Sequence, residues 1–317
     1  MRSSLQNSVL RLDGAAFLSQ IEGAIGVLQG ERSSGKISGG KVTGALTQIY
    51  GLNNLVIISD LHGDSESFFK ILYELDYEQF LADPLNKVIF LGDYVDRGTD
   101  SIGILYSICY LKQTYPNSII LMRGNHEAPA EFPFASHNLP QQIEIRFGYI
   151  KGRAIYDKLL SMFKLLTLVT IVKEKLLLVH GGLPTERNHI ENYRDSIMTA
   201  SENHVVNRVL EELLWNDPRQ IINPNGWEPS RRGFGRHFGT DISSKWLETT
   251  GTKVIVRGHE PCQGFRLDHE GRILTLFSCK EAYPAFNAAY LALTSDQLCS
   301  INNANDLSIH VKILKSL

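Results

Sequence analysis

Six side chains able to hold a cation stand just past apolar runs of the chain: Asp60, His62, Asp93, Asn125, His180 and His259. Asp60 and His62 follow Asn54-Leu-Val-Ile-Ile-Ser59 and lie two residues apart, so an extended backbone points both to one face, where a carboxylate and an imidazole can chelate one ion. Asp93 follows Val88-Ile-Phe-Leu-Gly92 and opens a turn, Asp93-Tyr-Val-Asp96-Arg97-Gly98, that carries two acids and an arginine. Asn125 and His126 follow Ser118-Ile-Ile-Leu-Met122-Arg123-Gly124, His180 follows Lys175-Leu-Leu-Leu-Val179, and His259 follows Lys253-Val-Ile-Val256-Arg257-Gly258. One strand-end aspartate is ordinary turn or cap chemistry, and one histidine is more often a satisfied structural residue. Three histidines, two aspartates and an asparagine at matching positions are not accounted for that way. Oxygen and nitrogen donors without thiolate suit manganese, iron or zinc in an open site. There are more of them than one ion takes while leaving room for water. Two ions roughly 3.5–4 Å apart, sharing one carboxylate, would use the whole set and stabilise both attacking and leaving oxygens of an in-line displacement.

Such convergence needs strands that all end at one edge. Asp93 comes 33 residues after Asp60, and Asn125 comes 32 after Asp93, which is the length of a β-α-β unit. Parallel strands then deliver all three turns to the same side of a sheet, where open α/β sheets place their sites. A helix is expected from Ser65 to about Leu81, and another over residues 1 to about 30, with Phe17, Ile21, Ile25 and Leu28 on one face. Residues 31–43, rich in Gly, Ser and Lys, read as an exposed loop. Gly35, Gly40 and Lys41 nearly match a P-loop, but Val42 replaces the magnesium-binding hydroxyl and no strand precedes it, so this is no nucleotide cradle. From Ala128 to about Lys164 the rhythm breaks, with three prolines, several aromatics and a helix expected over Ala154–Phe163; an insertion beside the site edge suits substrate contacts. Helices are expected between Glu186 and about Arg208. Residues 219–239 form a glycine-rich basic loop, either a mobile surface loop or an anion-binding lid. Arg272–Phe277 and Ala288–Leu293 alternate as antiparallel strands do, and Leu307–Leu314 reads as a last strand.

At 317 residues and 43% hydrophobic, the chain can bury the core of one large domain or of two sharing an interface. With 32 basic residues against 34 acidic ones, no bulk charge points to nucleic acid or a membrane surface. Cys109, Cys262, Cys279 and Cys299 are widely spaced, as in a reduced, cytoplasmic protein. The amino terminus lacks the apolar core of a signal peptide, and no apolar run approaches the roughly 20 residues of a spanning helix.

Taken in order, Asp60-Leu-His62-Gly63, Gly92-Asp93-Tyr-Val-Asp96-Arg97-Gly98, Arg123-Gly-Asn125-His126-Glu127, His180-Gly-Gly-Leu183 and Arg257-Gly-His259 resemble the signature of the phosphoprotein phosphatases. These are the serine/threonine phosphatases of the calcineurin-like metallophosphoesterases. Leu213-Leu-Trp-Asn-Asp-Pro218 and Leu276-Phe-Ser278 also fit, so the resemblance covers about residues 50 to 290. It implies an α/β fold: a β-sandwich flanked by helices, with a di-metal site at the carboxyl ends of the strands. Residues 1–50 would then be an amino-terminal extension and 51–317 the catalytic domain. Carried over by position, Asp60 and His62 hold the first of two divalent ions, Asp93 bridges, and Asn125, His180 and His259 hold the second, with Asn125 also near the phosphate. Manganese is the ion expected to serve in vitro, with iron or zinc as alternatives. A metal-activated water attacks phosphorus directly, without a phosphoenzyme. His126 matches the general acid, Asp96 the group that orients it, and Arg97 and Arg232 the arginines that grip phosphate. Arg236 is a weaker substitute for Arg232.

The resemblance implies phosphoserine and phosphothreonine proteins as substrates, with no nucleic-acid or membrane partner. Two departures stand out. Ser59 replaces a glycine, and Ser278-Cys-Lys-Glu-Ala-Tyr283 replaces the Ser-Ala-Pro-Asn-Tyr of eukaryotic members, moving the cleft tyrosine by one place. This divergence points to an archaeal or bacterial member. Two rivals are a symmetrical dinucleoside tetraphosphate hydrolase, which shares the centre, and a non-catalytic scaffold. Leu-Leu-Trp-Asn-Asp-Pro and Ser-Arg-Arg-Gly resemble the phosphatases more closely, and every expected site position is filled.

Overall fold

The computed structural model describes residues 4–202, 207–221 and 223–315, and in it two β-sheets stack face to face. The five-stranded sheet runs in the order Val311–Ile313, Ala289–Thr294, Asn54–Ile58, Lys87–Phe90, Ile119–Leu121. The eight-stranded sheet runs Lys36–Ile37, Gly40–Thr43, Leu46–Ile49, Val169–Val172, Leu176–Leu178, Val254–Arg257, Ile273–Leu276, Phe265–Asp268. Alternation explains why the strands read as unbroken apolar runs. Leu55 and Ile57, with Ile89 and Leu91, face inward against Leu176, Leu178, Val254 and Val256 of the opposite sheet. Their neighbours Val56, Ile58, Val88 and Phe90 face outward beneath helices. Leu177 and Ile255 likewise look outward, toward Leu210, Leu213 and Trp246. Both faces are covered at the centre of each sheet, so the central strands are apolar on both sides. The expected β-sandwich flanked by helices is thus observed.

The helix expected over residues 1 to about 30 is two, Ser4–Leu10 and Gly14–Ser34, with Phe17, Ile21 and Leu28 buried as expected and Ile25 half-buried; residues 1–3 lie outside the described residues. Residues 31–43, expected as a loop, instead finish that helix and form a hairpin, Lys36–Ile37 with Gly40–Thr43. Gly35, at φ 68°, closes the helix in the left-handed conformation. An edge hairpin of Gly, Ser and Lys has the composition of a loop because its outer face and edge meet water. Leu46–Ile49 follows and pairs in parallel with Val169–Val172. Glu31 meets Lys112 of helix Ser101–Thr114 at 2.6 Å, and Leu46–Ile49 pairs with Val169–Val172, so residues 4–50 are woven into the sandwich and its helical cover.

The parallel register of Asn54–Ile58, Lys87–Phe90 and Ile119–Leu121 is as expected. The helix after Asp60 is interrupted at Asp76 (φ 50°), giving Ser65–Leu75 and Tyr77–Leu81. The stretch after Ala128 holds two helices, Leu139–Phe147 and Tyr149–Phe163, hinged at Gly148. Pro140 does not break the first, because a proline in the opening turn removes an N–H that has no helical partner. Helices Arg187–Glu191 and Tyr193–Glu202 occupy the segment after Glu186, and residues 203–206 lie outside the described residues. The basic loop contains strands Trp227–Pro229 and Arg236–Phe238, which make a small sheet with Asp217–Pro218. Ile273–Leu276 and Ala289–Thr294 are strands, but of different sheets, and Ile273–Leu276 also pairs in parallel with Val254–Arg257. The last expected strand divides into helix Ala304–Ser308 and strand Val311–Ile313. Among the described residues no helix is long and apolar enough to cross a membrane.

Candidate active site

Strand ends from both sheets meet at one place. The parallel strands of one sheet deliver Asp60, His62, Asp93, Asn125 and His126, and Leu176–Leu178 and Val254–Arg257, parallel neighbours in the other, deliver His180 and His259. The turns are tight enough that His62, Asp93, Asp96, Arg97 and His259 all hold φ between 44° and 71°. Left-handed backbone costs a non-glycine residue roughly 1–3 kcal/mol and persists where the surroundings over-determine it. A Cβ on Gly124 would lie 2.2 Å from Asp93 Oδ1, and one on Gly258 2.3 Å from Asp60 Oδ2, so both glycines are required for the carboxylates to sit where they do.

Two groups of donor atoms gather within 4.8 Å, His62–Asp93–His126 and Asp93–His180–His259, and Asp93 belongs to both. Their chemistry fits a cation. His62 Nδ1 donates to Val95 O at 3.0 Å, and His180 Nδ1 donates to Leu91 O at 3.0 Å. With Nδ1 so committed, each ring in its neutral form presents an Nε2 lone pair inward. That of His62 faces Asp93 Oδ2 at 3.6 Å, and that of His180 faces Asp93 Oδ1 at 3.4 Å and Asn125 Oδ1 at 3.0 Å. Lone pairs confronting lone pairs in a buried site call for positive charge between them, and carbonyl-anchored imidazoles are how metal ligands are held. His259 Nδ1 lies 2.8 Å from Asn125 Oδ1, while its buried Nε2 has no hydrogen-bond partner. Burial pulls the His180 imidazole down, but the Asp93 carboxylate outweighs it and brings it up to about 9. A proton is drawn to where a cation would sit. Asp60 borders the set, and its carboxylate accepts from the Ser59 hydroxyl and from His259 N at 2.9 Å.

His126 belongs to the first of these groups by position, but its Nδ1 is engaged by Asp96 Oδ2 at 2.7 Å. Burial lowers its basicity, but Asp93 and Asp96 more than compensate, so the ring is raised above its ordinary value. Glu127, in the same motif, accepts from the backbone N–H groups of Asp93, Tyr94 and Gly124 at 2.8–2.9 Å and locks two turns together. The motif alone gives it no role.

A cleft of about 490 Å³ opens over these groups, lined by His62, Asp93, Asn125, His126 and His259 and flanked by Arg97, Arg232, Phe134, Trp215 and Tyr283. Arg97 and Arg232 are exposed, and Arg232 Nε rests 3.1 Å from Asp217 Oδ2. Arg236 is committed elsewhere, to Thr185 at 2.6 Å and Glu212 at 3.0 Å, and stacks on Trp227. Tyr283 lies in the cleft despite its shift by one place, its ring 6.0 Å from His62. Of the candidate site residues, His62, Asp93, Arg97, Asn125, His126, Arg232 and His259 line the cleft, Asp60, Asp96 and His180 sit behind it in contact with His259, His126 and Asp93, and Arg236 is held away. Sequence reading missed His137, whose Nδ1 lies 2.9 Å from Asp96 Oδ2, because nothing local marks a histidine in an irregular insertion.

A model of the calcineurin-like phosphoesterase family matches residues 54–263. A probable serine/threonine-protein phosphatase of Encephalitozoon cuniculi is 31% identical over 228 residues, covering 72% of this chain and 47% of that protein. Serine/threonine-protein phosphatase T of Schizosaccharomyces pombe is 31% identical over 238 residues, covering 73% and 46%. The chain thus spans about half the length of the curated relatives it matches. These relatives are eukaryotic and lend no support to an archaeal or bacterial origin. A solved serine/threonine phosphatase structure from Saccharomyces cerevisiae superposes with a TM-score of 0.75 at 20% identity, covering 96% of this chain and 91% of that one, which shows a shared fold. With the match spanning residues 54–263 and all five strand-end motifs inside it, the chain belongs to the calcineurin-like phosphoesterase family.

Proposed function

We propose that the chain is a metal-dependent protein serine/threonine phosphatase. One observation carries this: a single buried carboxylate, Asp93, is common to two cation-type donor groups, one of which includes the His126 that Asp96 holds, in a cleft flanked by two arginines. Asp60, His62 and Asp93 would hold one divalent ion, and Asp93, Asn125, His180 and His259 the other, with manganese serving in vitro and iron or zinc as alternatives. When bound, such ions supply Lewis acidity and a nucleophile derived from water at neutral pH.

The chain's own residues do the rest. Arg97 and Arg232 each offer a planar fork that matches two phosphate oxygens, and orient the ester. Asp96 accepts the hydrogen bond of His126 Nδ1–H, which leaves Nε2 to carry a proton to the departing alkoxide. Serine and threonine alkoxides are poor leaving groups and need that proton, which is why an acid is placed there. Phe134 packs 4.5 Å from the His126 ring and keeps bulk water from that flank. Phosphoproteins as substrates are supported by the names of the relatives, and a cytoplasmic setting suits four free cysteines.

The test is to strip the protein with chelator, restore Mn²⁺, and compare rates on a phosphothreonine peptide, diadenosine tetraphosphate and a cyclic nucleotide. Manganese-dependent preference for the peptide is expected. Preference for the dinucleotide would keep the metal site and overturn the substrate, and a metal-loaded protein inactive on all three would return the scaffold reading.

A further inference from the structure

The stretch Ala128–Lys164, which breaks the strand–helix rhythm, sends residues 137–139 to the carboxylate of Asp96. That residue is fully buried and accepts four hydrogen bonds. Oδ2 takes His126 Nδ1 at 2.7 Å and His137 Nδ1 at 2.9 Å, and Oδ1 takes the backbone N–H groups of Asn138 at 2.8 Å and Leu139 at 3.0 Å. Three of the four donors come from residues 137–139, the entry to helix Leu139–Phe147. Two carboxylate oxygens offer about four lone-pair sites, so all are filled and no rotation of the group keeps them so.

Behind His137 stands a further group. Its Nε2 lies 2.8 Å from the hydroxyl of Tyr156 on helix Tyr149–Phe163. Burial pushes the Tyr156 phenol up to about 12, so it keeps its proton and donates it to Nε2. The Asp96 carboxylate only accepts, so Nδ1 carries an N–H toward it and Nε2 is the atom left to accept from Tyr156. Phe134 wedges against both imidazoles, 4.5 Å from His126 and 5.6 Å from His137.

We infer that His137, held by Tyr156, is a positioning residue for the general acid: it pins Asp96 Oδ2 in the one orientation that aims His126 Nε2 at the leaving oxygen. The inference rests on the proposed role of His126 as that acid. Without His137, Oδ2 keeps a single side-chain partner and takes up water in its place, so the carboxylate, anchored only at Oδ1 by Asn138 and Leu139, holds the imidazole less firmly in its aim. The insertion Ala128–Lys164 then has a catalytic purpose, in that it supplies the far side of the dyad.

The experiment compares manganese-loaded wild type with His137→Ala, His137→Asn and Tyr156→Phe, measuring kcat and KM on a phosphothreonine peptide and on an activated aryl phosphate, whose leaving group needs little protonation. Metal content and Tm are measured alongside. For His137→Ala, kcat on the peptide is expected to fall about tenfold, as loss of one hydrogen bond to a charged group warrants, with less than threefold loss on the aryl ester and KM unchanged. Asparagine places an N–H where Nδ1 was and recovers most of the loss; Tyr156→Phe falls between. Should the alanine variant fail to fold, Tyr156→Phe, which removes one oxygen, carries the same comparison. Equal losses on both substrates, with asparagine no better than alanine, overturn the inference while leaving the phosphatase reading intact. Wild type inactive on both esters overturns the phosphatase reading and this inference with it.

Discussion

Replacing Asp96 with asparagine changes one atom and sets donors against donors. The amide oxygen can satisfy the N–H groups of Asn138 and Leu139, which leaves NH₂ facing Nδ1 of both His126 and His137, now 2.7 and 2.9 Å from a carboxylate oxygen. The reverse orientation points NH₂ at two backbone donors that cannot turn. The first is the lesser evil, and it obliges His126 to accept at Nδ1 and to hold its proton on Nε2 as a neutral ring. A neutral imidazole is a far weaker acid than imidazolium, and the charge-assisted bond that favoured the cation, worth about 1.5–3 kcal/mol, is gone. Adding loss of proton transfer, whose contribution is about 10²–10⁴-fold, the expected fall in kcat on a phosphothreonine peptide is at least about 10²-fold. On an activated aryl phosphate it is about threefold or less. Metal content stays at the wild-type level, since Asp96 is outside both donor groups. Steady-state rates on the two esters with elemental analysis decide it. A loss of the same size on both, at full metal occupancy, refutes the general-acid assignment.

Asp93→Asn should lower the number of ions retained after gel filtration, because the carboxylate is common to both donor groups; two ions still bound would refute the bridge. Glu31→Ala should lower stability by roughly 2–4 kcal/mol, because it leaves buried Lys112 without its anion, 2.6 Å away. Urea unfolding reads this, and a change under about 0.5 kcal/mol would mean that the pair contributes no more than a surface contact. Lys87 is buried among the carbonyls of Ser38, Pro84 and Asn117, and burial brings its ammonium down to about 8. The unfolded chain then binds more protons above that pH, so the cost of the buried charge is fully present below pH 8 and stability should rise by up to about 3 kcal/mol toward pH 10.5. Lys87→Met should abolish this rise relative to wild type, and parallel stability curves would contradict it.

Much of the site could be read from the chain because each ligand-type residue is covalently tied to the end of an apolar run. A strand buried on both faces writes itself as consecutive Val, Ile and Leu, and the residues just past Ile58, Phe90, Leu121, Leu178 and Arg257 must emerge at a sheet edge. Spacings of 33 and 32 residues required parallel strands, so Asp60, Asp93 and Asn125 had to converge. Local composition could not distinguish the hairpin at residues 36–43 from a loop, since an edge hairpin draws its stability from partners far along the chain. Nor could it place Ile273–Leu276 and Ala289–Thr294 in separate sheets, because alternation records which side of a strand is buried and not against what. Arg232 and Arg236 are four apart in one basic loop, and only packing separates them: Glu212 and Thr185 claim Arg236, while Arg232 stays at the cleft. His137 depends on folding most of all. Its meeting with Asp96, 41 residues earlier, exists only once two helices of an irregular insertion close over the dyad. Chemistry attached to regular elements is legible in one dimension, whereas chemistry assembled by long-range packing of irregular segments is created by the fold.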